Sequence, residues 1–319
     1  MTGFINMEAV AASMPLKAAH YPFPRRKDLH EALSWCVTDY FTKASTGQDF
    51  EARGLIVTGE SRVGKTREIK RLAAEFNDGS VIMPDGRPAR IVHIILSGKV
   101  TWKDLGVMTL EAFGYPMEGR RTQRYIWDKV IDQARRQGVV GIHFDECQHV
   151  FTDEGNKTNR LFLDSFKTLL KDSRWPLMLI LSGIPDLSRH VQAEEQLAAL
   201  LRPVHFDLIS LPNDLEEMNR LAYEFADAVG LCFDPLSNVD FFRRLNHACA
   251  RRWGLVIELL IEAFTIATLE STSVCSIDHF VAAFATRFRL PGGFSPFTAP
   301  DYEECFDPSK MLDLLDRKD

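Results

Sequence analysis

The chain has 319 residues, 45% of them hydrophobic and 26% charged, with a formal net charge of −6 at pH 7. That length exceeds one minimal domain and predicts one large domain with a sizeable core plus a smaller one, with the composition of an ordinary soluble globular protein. The acidic balance excludes a surface coated in basic residues, although a local stripe of Lys and Arg is still compatible with nucleic acid.

In chain order, residues 1–24 form an arm ending in Tyr21-Pro22-Phe23-Pro24, whose prolines favour extended backbone. Residues 27–43 read as a helix, because Leu29, Leu33, Cys36, Val37, Tyr40 and Phe41 recur at three- and four-residue intervals. A polar linker follows at 45–50. Then come five short apolar runs of the kind buried parallel strands show, at 54–58, 91–96, 139–144, 177–181 and 206–211. Helical patterns separate them. Ile126, Val130, Ile131 and Ala134 share a face between the second and third runs, and Phe162, Phe166, Leu169 and Leu170 do so between the third and fourth. Strands alternating with helices predict an α/β fold with a parallel five-stranded sheet flanked by helices.

Beyond residue 213 the pattern changes to four successive helical stretches, at about 213–229, 237–251, 254–270 and 276–288, which predicts a C-terminal all-α domain. The expected division is therefore an arm and helix at 1–50, the α/β domain at 51–212, the all-α domain at 213–290 and an acidic tail at 291–319. That tail has few aliphatics and is expected to be flexible or ordered only against a partner. No run approaches the roughly 20 apolar residues of a bilayer span, and the first residues lack an export signal, so the expected location is where the chain is made, away from any membrane. Six cysteines are scattered without a CxxC pair or a neighbouring His, which reads as reduced thiols rather than a zinc site.

Gly59-Glu60-Ser61-Arg62-Val63-Gly64-Lys65-Thr66 matches GxxxxGK[ST], with an apolar run before it and a helical pattern (Ile69, Leu72, Ala73, Phe76) after it. The glycines let the backbone wrap so that successive N–H groups face phosphate oxygens, and the helix opening at Lys65 adds its positive end. Residues 59–67, Arg67 included, are the expected ATP cradle; Lys65 would sit between the β- and γ-phosphates, and the Thr66 hydroxyl would ligate Mg2+. Val139-Val140-Gly141-Ile142-His143-Phe144-Asp145-Glu146 supplies the acidic partners. Asp145 at the strand end would hold magnesium, and Glu146 would orient or deprotonate the attacking water. An acidic pair at a strand end also suits an ordinary helix N-terminus, but a phosphate loop upstream calls for it. His143 and His149 are candidates for proton shuttling, against the commoner role of a hydrogen-bonded histidine.

The order of these elements, with Ser182-Gly183 at a polar strand end and an arginine near the fifth strand, resembles the AAA+ ATPases. Within them, residues from about 21 to 288 look like the TniB and TnsC group of transposition regulators, related to the MuB and IstB helper ATPases. The likeness rests on GESRVGKT, on VGIHFDECQHV, on Leu-Ser-Gly-Ile-Pro at 181–185 and on Gln196-Leu-Ala-Ala-Leu-Leu-Arg202. It implies an all-α lid, Ser182 at the sensor-1 position and Arg202 as an arginine finger reaching a neighbouring subunit's nucleotide. Arg202 as a plain surface cation is the competing reading, with Arg189 as the fallback finger. A sensor-2 arginine is expected three residues after Gly254, but Ile257 stands there, so that arginine is either missing or displaced to Arg251 or Arg252.

The resemblance further implies a cytoplasmic bacterial protein that binds and hydrolyses ATP, forms a ring or helical filament on double-stranded DNA, and recruits or activates a transposase, with a target-selection adaptor as a further partner. Lys99, Lys103, Arg120, Arg121 and Arg124, with Trp102 among them, are the candidate contacts to the DNA backbone; a solvated helix face is the alternative. A different class of function, a nucleotide-gated signalling or scaffold ATPase of the AAA+ or STAND type without DNA, fits the same ATP site. A small-molecule P-loop kinase fits less well, because such enzymes seldom need the acidic strand end together with a separate helical lid.

Overall fold

A computed structural model describes residues 4–151, 156–291 and 293–316. The chain divides into two compact units, Pro24–Asp207 and a second made of 1–23 with 208–319. Along the chain the elements are α1 (Met7–Ala18), α2 (Pro24–Ala44), β1 (Gly54–Gly59), α3 (Lys65–Asp78), β2 (Arg90–Ile95), α4 (Trp102–Ala112), α5 (Gln123–Gln137), β3 (Val139–Asp145), α6 (Asn156–Leu170), β4 (Met178–Gly183), α7 (Asp186–Gln192), α8 (Glu195–Ala198) and β5 (Leu201–Phe206). They continue as α9 (Leu215–Asp227), α10 (Val239–Ala248), α11 (Trp253–Leu269), α12 (Ile277–Phe288), α13 (Tyr302–Cys305) and α14 (Pro308–Asp316). Among the described residues, no helix is long and apolar enough to cross a membrane.

In the first unit the five strands are all parallel, in the order β2-β3-β4-β1-β5. The three central strands are buried at every position. Helices cover both faces of such a sheet, which is why these strands read as unbroken apolar runs. The two edge strands carry exposed positions as well. Those positions account for the one strand the sequence misplaces: the fifth lies at Leu201–Phe206, five residues before the apolar run at 206–211. Arg202, Pro203 and His205 in it are exposed, and an edge strand tolerates a proline that cannot donate to a ladder. Arg202 is therefore a residue of β5 itself and not of a segment ahead of it.

Helix ends follow local chemistry. Thr101 and Asp104 form a reciprocal capping box at the start of α4, and Thr122 caps α5, which ends on Gly138 at φ 70°. Gly138 also has no room for a side chain, since a Cβ would lie 2.1 Å from the Pro88 carbonyl oxygen. Pro24 does not stay in the extended arm but opens α2, where its missing N–H costs nothing.

The second unit is helical and packed largely with aromatic rings. Phe233, Phe242, Phe264, Phe280 and Phe284 are fully buried, and Leu16 of α1 with Tyr21 and Phe23 joins the same core. The arm expected at 1–24 thus contains a helix, capped by the Asn6 side chain. The tail is a second correction: Phe297, Tyr302, Phe306, Met311 and Leu315 are buried in that core. Arg244 donates to the carbonyls of Pro296 and Ala299 and lies over the Tyr302 ring. Aromatic residues, with Met311 and Leu315, hold 294–315 in place.

Candidate active site

β1 delivers the chain to the phosphate loop, and α3 leaves it. Gly59 packs so closely that a Cβ there would lie 2.5 Å from the Phe206 carbonyl oxygen. Gly64 takes φ 101° and Arg62 φ 63°, so the turn uses left-handed backbone twice before α3 begins. The Lys65 ammonium is nearly buried and donates to the carbonyls of Gly59 and Glu60, both at 2.8 Å. Those bonds fold the side chain back along the loop. Val63 is buried as the loop's anchor, while Ser61 and Arg67 are exposed and Glu60 and Arg62 half-buried. Arg25, from the start of α2, stands beside the loop, its guanidinium 5.2 Å from the Phe206 ring centre and one nitrogen 3.5 Å from where a Cβ on Gly64 would be.

At the adjoining strand ends four residues converge. Thr66 Oγ1 donates to Asp145 Oδ2 at 2.7 Å, and Ser182 Oγ donates to Asp145 Oδ1 at 2.5 Å. The Glu146 amide adds a third bond to Oδ1. Burial by itself raises the Asp145 pKa, but the bonds from Ser182 and Thr66 outweigh it and hold the carboxyl below its ordinary value. A hydroxyl and an ionised carboxylate side by side are hard oxygen donors of the kind magnesium takes, and backbone turns with an ammonium suit a polyphosphate, so the residues present fit both groups.

Glu146 has a left-handed backbone, φ 57°, at the end of β3. Its carboxylate accepts from Gln148 Nε2, whose amide oxygen in turn accepts from the Ile184 backbone N–H. Gln148 fits because residue 183 is glycine: a Cβ there would meet its Oε1 at 2.5 Å.

The strand pairing brings in residues the motif alone does not. His143 and His93 face each other across β3 and β2, with 2.7 Å between their Nδ1 atoms. His143 Nε2 lies 2.7 Å from Ser182 Oγ. Burial lowers the pKa of both rings, that of His93 to about 4 with Lys70 adding to the effect, so both are neutral. A signal for His93 was present: each histidine stands in an otherwise apolar strand. His149 is exposed and outside this group.

Arg202 is exposed, its guanidinium 5.8 Å from the Trp35 ring centre. Arg189 is exposed beside Asp186. In the helical unit Arg251 is tied to Ile209, donating from Nε to its carbonyl, and Arg252 donates to the Ala250 carbonyl.

Lys99, Lys103, Arg120, Arg121 and Arg124 are all exposed. α4 and α5 begin side by side, because the Trp102 and Trp127 rings stack at 4.1 Å and Trp127 Nε1 donates to the Trp102 carbonyl. The five cations therefore gather around two neighbouring helix starts. Trp102 itself is half-buried, packed against Trp127, Phe162 and Phe166.

A family model described as an AAA domain matches residues 48–191. Among solved structures, Cdc6p from Pyrobaculum aerophilum is similar over 85% of this chain and 70% of its own, with a TM-score of 0.62 at 11% identity. The chain has the AAA+ P-loop fold. Two proteins of Aeropyrum pernix share it at a TM-score of 0.58: ORC2, solved as ADPNP–ADP complexes, is 16% identical over 85% of this chain and 71% of its own. ORC1, solved in complex with DNA, is 15% identical over 87% and 69%. No curated protein matches the chain by sequence. Within the AAA+ fold, Lys65, Thr66, Asp145, Glu146 and Ser182 all fall inside the matched span, whereas Arg202 lies beyond it.

Proposed function

We propose that this chain is an ATP-dependent regulator of DNA transposition, which binds and hydrolyses ATP, assembles on duplex DNA and recruits or activates a transposase. The observation that carries the reading is the convergence of Thr66 and Ser182 on the Asp145 carboxylate, beside a glycine loop along which the Lys65 ammonium is folded. Lys65 exchanges the loop carbonyls for β- and γ-phosphate oxygens, and residues 59–67 bind the rest of the triphosphate. Thr66 and Asp145 would hold Mg2+, which would supply positive charge to the phosphates. Glu146 takes a proton from water as its oxygen attacks the γ-phosphorus, and ADP departs. Ser182 keeps the Asp145 carboxylate in place, and Arg202 of one subunit serves the nucleotide of the next, so turnover depends on assembly. A finger of this kind contributes about 10³-fold or more in rate.

The DNA part rests on the five clustered cations, on the ORC1 relative solved with DNA, and on the resemblance to transposition regulators. Contacts of this type read phosphate rather than base edges, as suits a helper that accepts many target sites. The test is duplex binding against salt, in the presence of a non-hydrolysable ATP analogue. Five phosphate contacts give a slope of about −4.5 in log affinity against log salt, a loss of about 500-fold between roughly 50 and 200 mM. Replacing Lys103 and Arg124 by Ala lowers the slope to about −2.7 and the loss to about 40-fold. No duplex binding and no DNA stimulation of ATP turnover would remove the DNA reading and favour a nucleotide-gated scaffold.

A further inference from the structure

The hydrogen bonds from Asp145 across β4, β3 and β2 run in only one direction. A carboxylate accepts and does not donate, so the single Ser182 hydroxyl proton is committed to Asp145 Oδ1 at 2.5 Å. Ser182 Oγ must then accept on its other side, and the atom there is His143 Nε2 at 2.7 Å. His143, neutral, therefore carries its proton on Nε2 and has a lone pair on Nδ1. That lone pair faces His93 Nδ1 at 2.7 Å, which must be the protonated nitrogen of His93. Each proton position follows from the one before it. His143 and Ser182 are fully buried, and the chain ends at His93 Nε2, which is buried without a partner.

We propose that His143 and His93 are positioning residues: they fix the direction of the Ser182 hydroxyl and thereby lock Asp145 with Oδ1 engaged and Oδ2 left toward Thr66. The proposal deepens the reading of Thr66 and Asp145 as the magnesium pair and rests on it. An apolar residue at 143 leaves the Ser182 hydroxyl free to rotate, and the carboxylate loses the anchor of one oxygen. Ligand-orienting partners of this kind typically matter by about 10- to 100-fold in metal affinity or activity.

The first test reads the imidazole nitrogens of the ligand-free protein by long-range 1H–15N NMR. The expected spectrum has His143 protonated at Nε2 and His93 at Nδ1; His143 protonated at Nδ1, or an imidazolium at either residue, overturns the proposal. The second test measures ATP binding by calorimetry with and without Mg2+. His143→Leu should raise the Mg2+ concentration for half-saturation by about tenfold or more, while ATP affinity without metal stays near wild type. His143→Gln, whose amide nitrogen can replace Nε2, should stay within about threefold of wild type on the same scale. A shift smaller than twofold in His143→Leu counts against the role, as does an equal loss with and without metal, which would mark a merely structural residue. If His143→Leu does not fold, His93→Phe against His93→Asn asks the same question one bond further out, since Asn keeps a donor at the Nδ1 position. Wild type that binds no Mg2+ with ATP overturns the parent reading of the site, an outcome the NMR spectrum does not depend on.

Discussion

Gly183→Ala is a small change aimed at Glu146 through an intermediary. A Cβ at 183 would stand 2.5 Å from Gln148 Oε1 and 3.1 Å from Leu187 Cδ2. Ordinary carbon–oxygen contact needs about 3.3 Å, so the Gln148 amide must retreat by roughly 0.8 Å. Gln148 holds both the Glu146 carboxylate and the Ile184 amide, so the displacement is passed to the residue expected to handle the attacking water. A misplacement of about 1 Å in such a group costs on the order of 10²-fold in rate. The triphosphate contacts at Lys65 and Thr66 are untouched, so binding should survive. Steady-state phosphate release gives kcat and calorimetry gives the ATP dissociation constant. The expected result is kcat lower by about 10- to 100-fold with the dissociation constant within about threefold, and Gln148→Ala should reproduce it. Wild-type kcat in both variants would refute the positioning of Glu146 by Gln148.

Two further predictions concern stability. Phe297, buried against Phe241, Phe280 and Phe284, should cost roughly 3–5 kcal/mol when replaced by Ala, read by chemical unfolding of the full chain; a change below about 1 kcal/mol would return the tail to a loosely held segment. Burial tends to raise the Asp172 pKa, but the Arg174 guanidinium and the backbone amides it faces lower it below its ordinary 3.8. The unfolded chain therefore takes up this proton first as pH falls, so the stability it contributes is complete above about 4 and fades below it. Asp172→Asn should flatten the loss of stability between about pH 4 and pH 2, and identical slopes in thermal unfolding would contradict that.

The parts of the fold legible in the sequence are those whose physics is local or repeated. GESRVGKT is contiguous, and its glycines, lysine and threonine each answer to a local chemical task, so the loop is read directly. The central strands are buried on both faces and show it as unbroken apolar runs. β5 is an edge strand, and its exposed Arg202, Pro203 and His205 let a neighbouring run at 206–211 pass for it. The Ser182–His143–His93 chain needs strands distant in sequence to be adjacent in space, and only the order β2-β3-β4 supplies that. The tail escaped for another reason: Phe297, Tyr302 and Phe306 lie among acidic and polar residues, and their burial depends on the partners they find in the helical core.

The central claim is that the loop at 59–66 and the Asp145–Glu146 strand end together bind magnesium and ATP. Calorimetric titration of ATP with Mg2+ into wild type and Lys65→Ala tests it most directly. Saturable heat in the wild type, with affinity weaker by about tenfold or more in the variant, is the predicted result. No heat in the wild type, or equal affinity in both proteins, would contradict it.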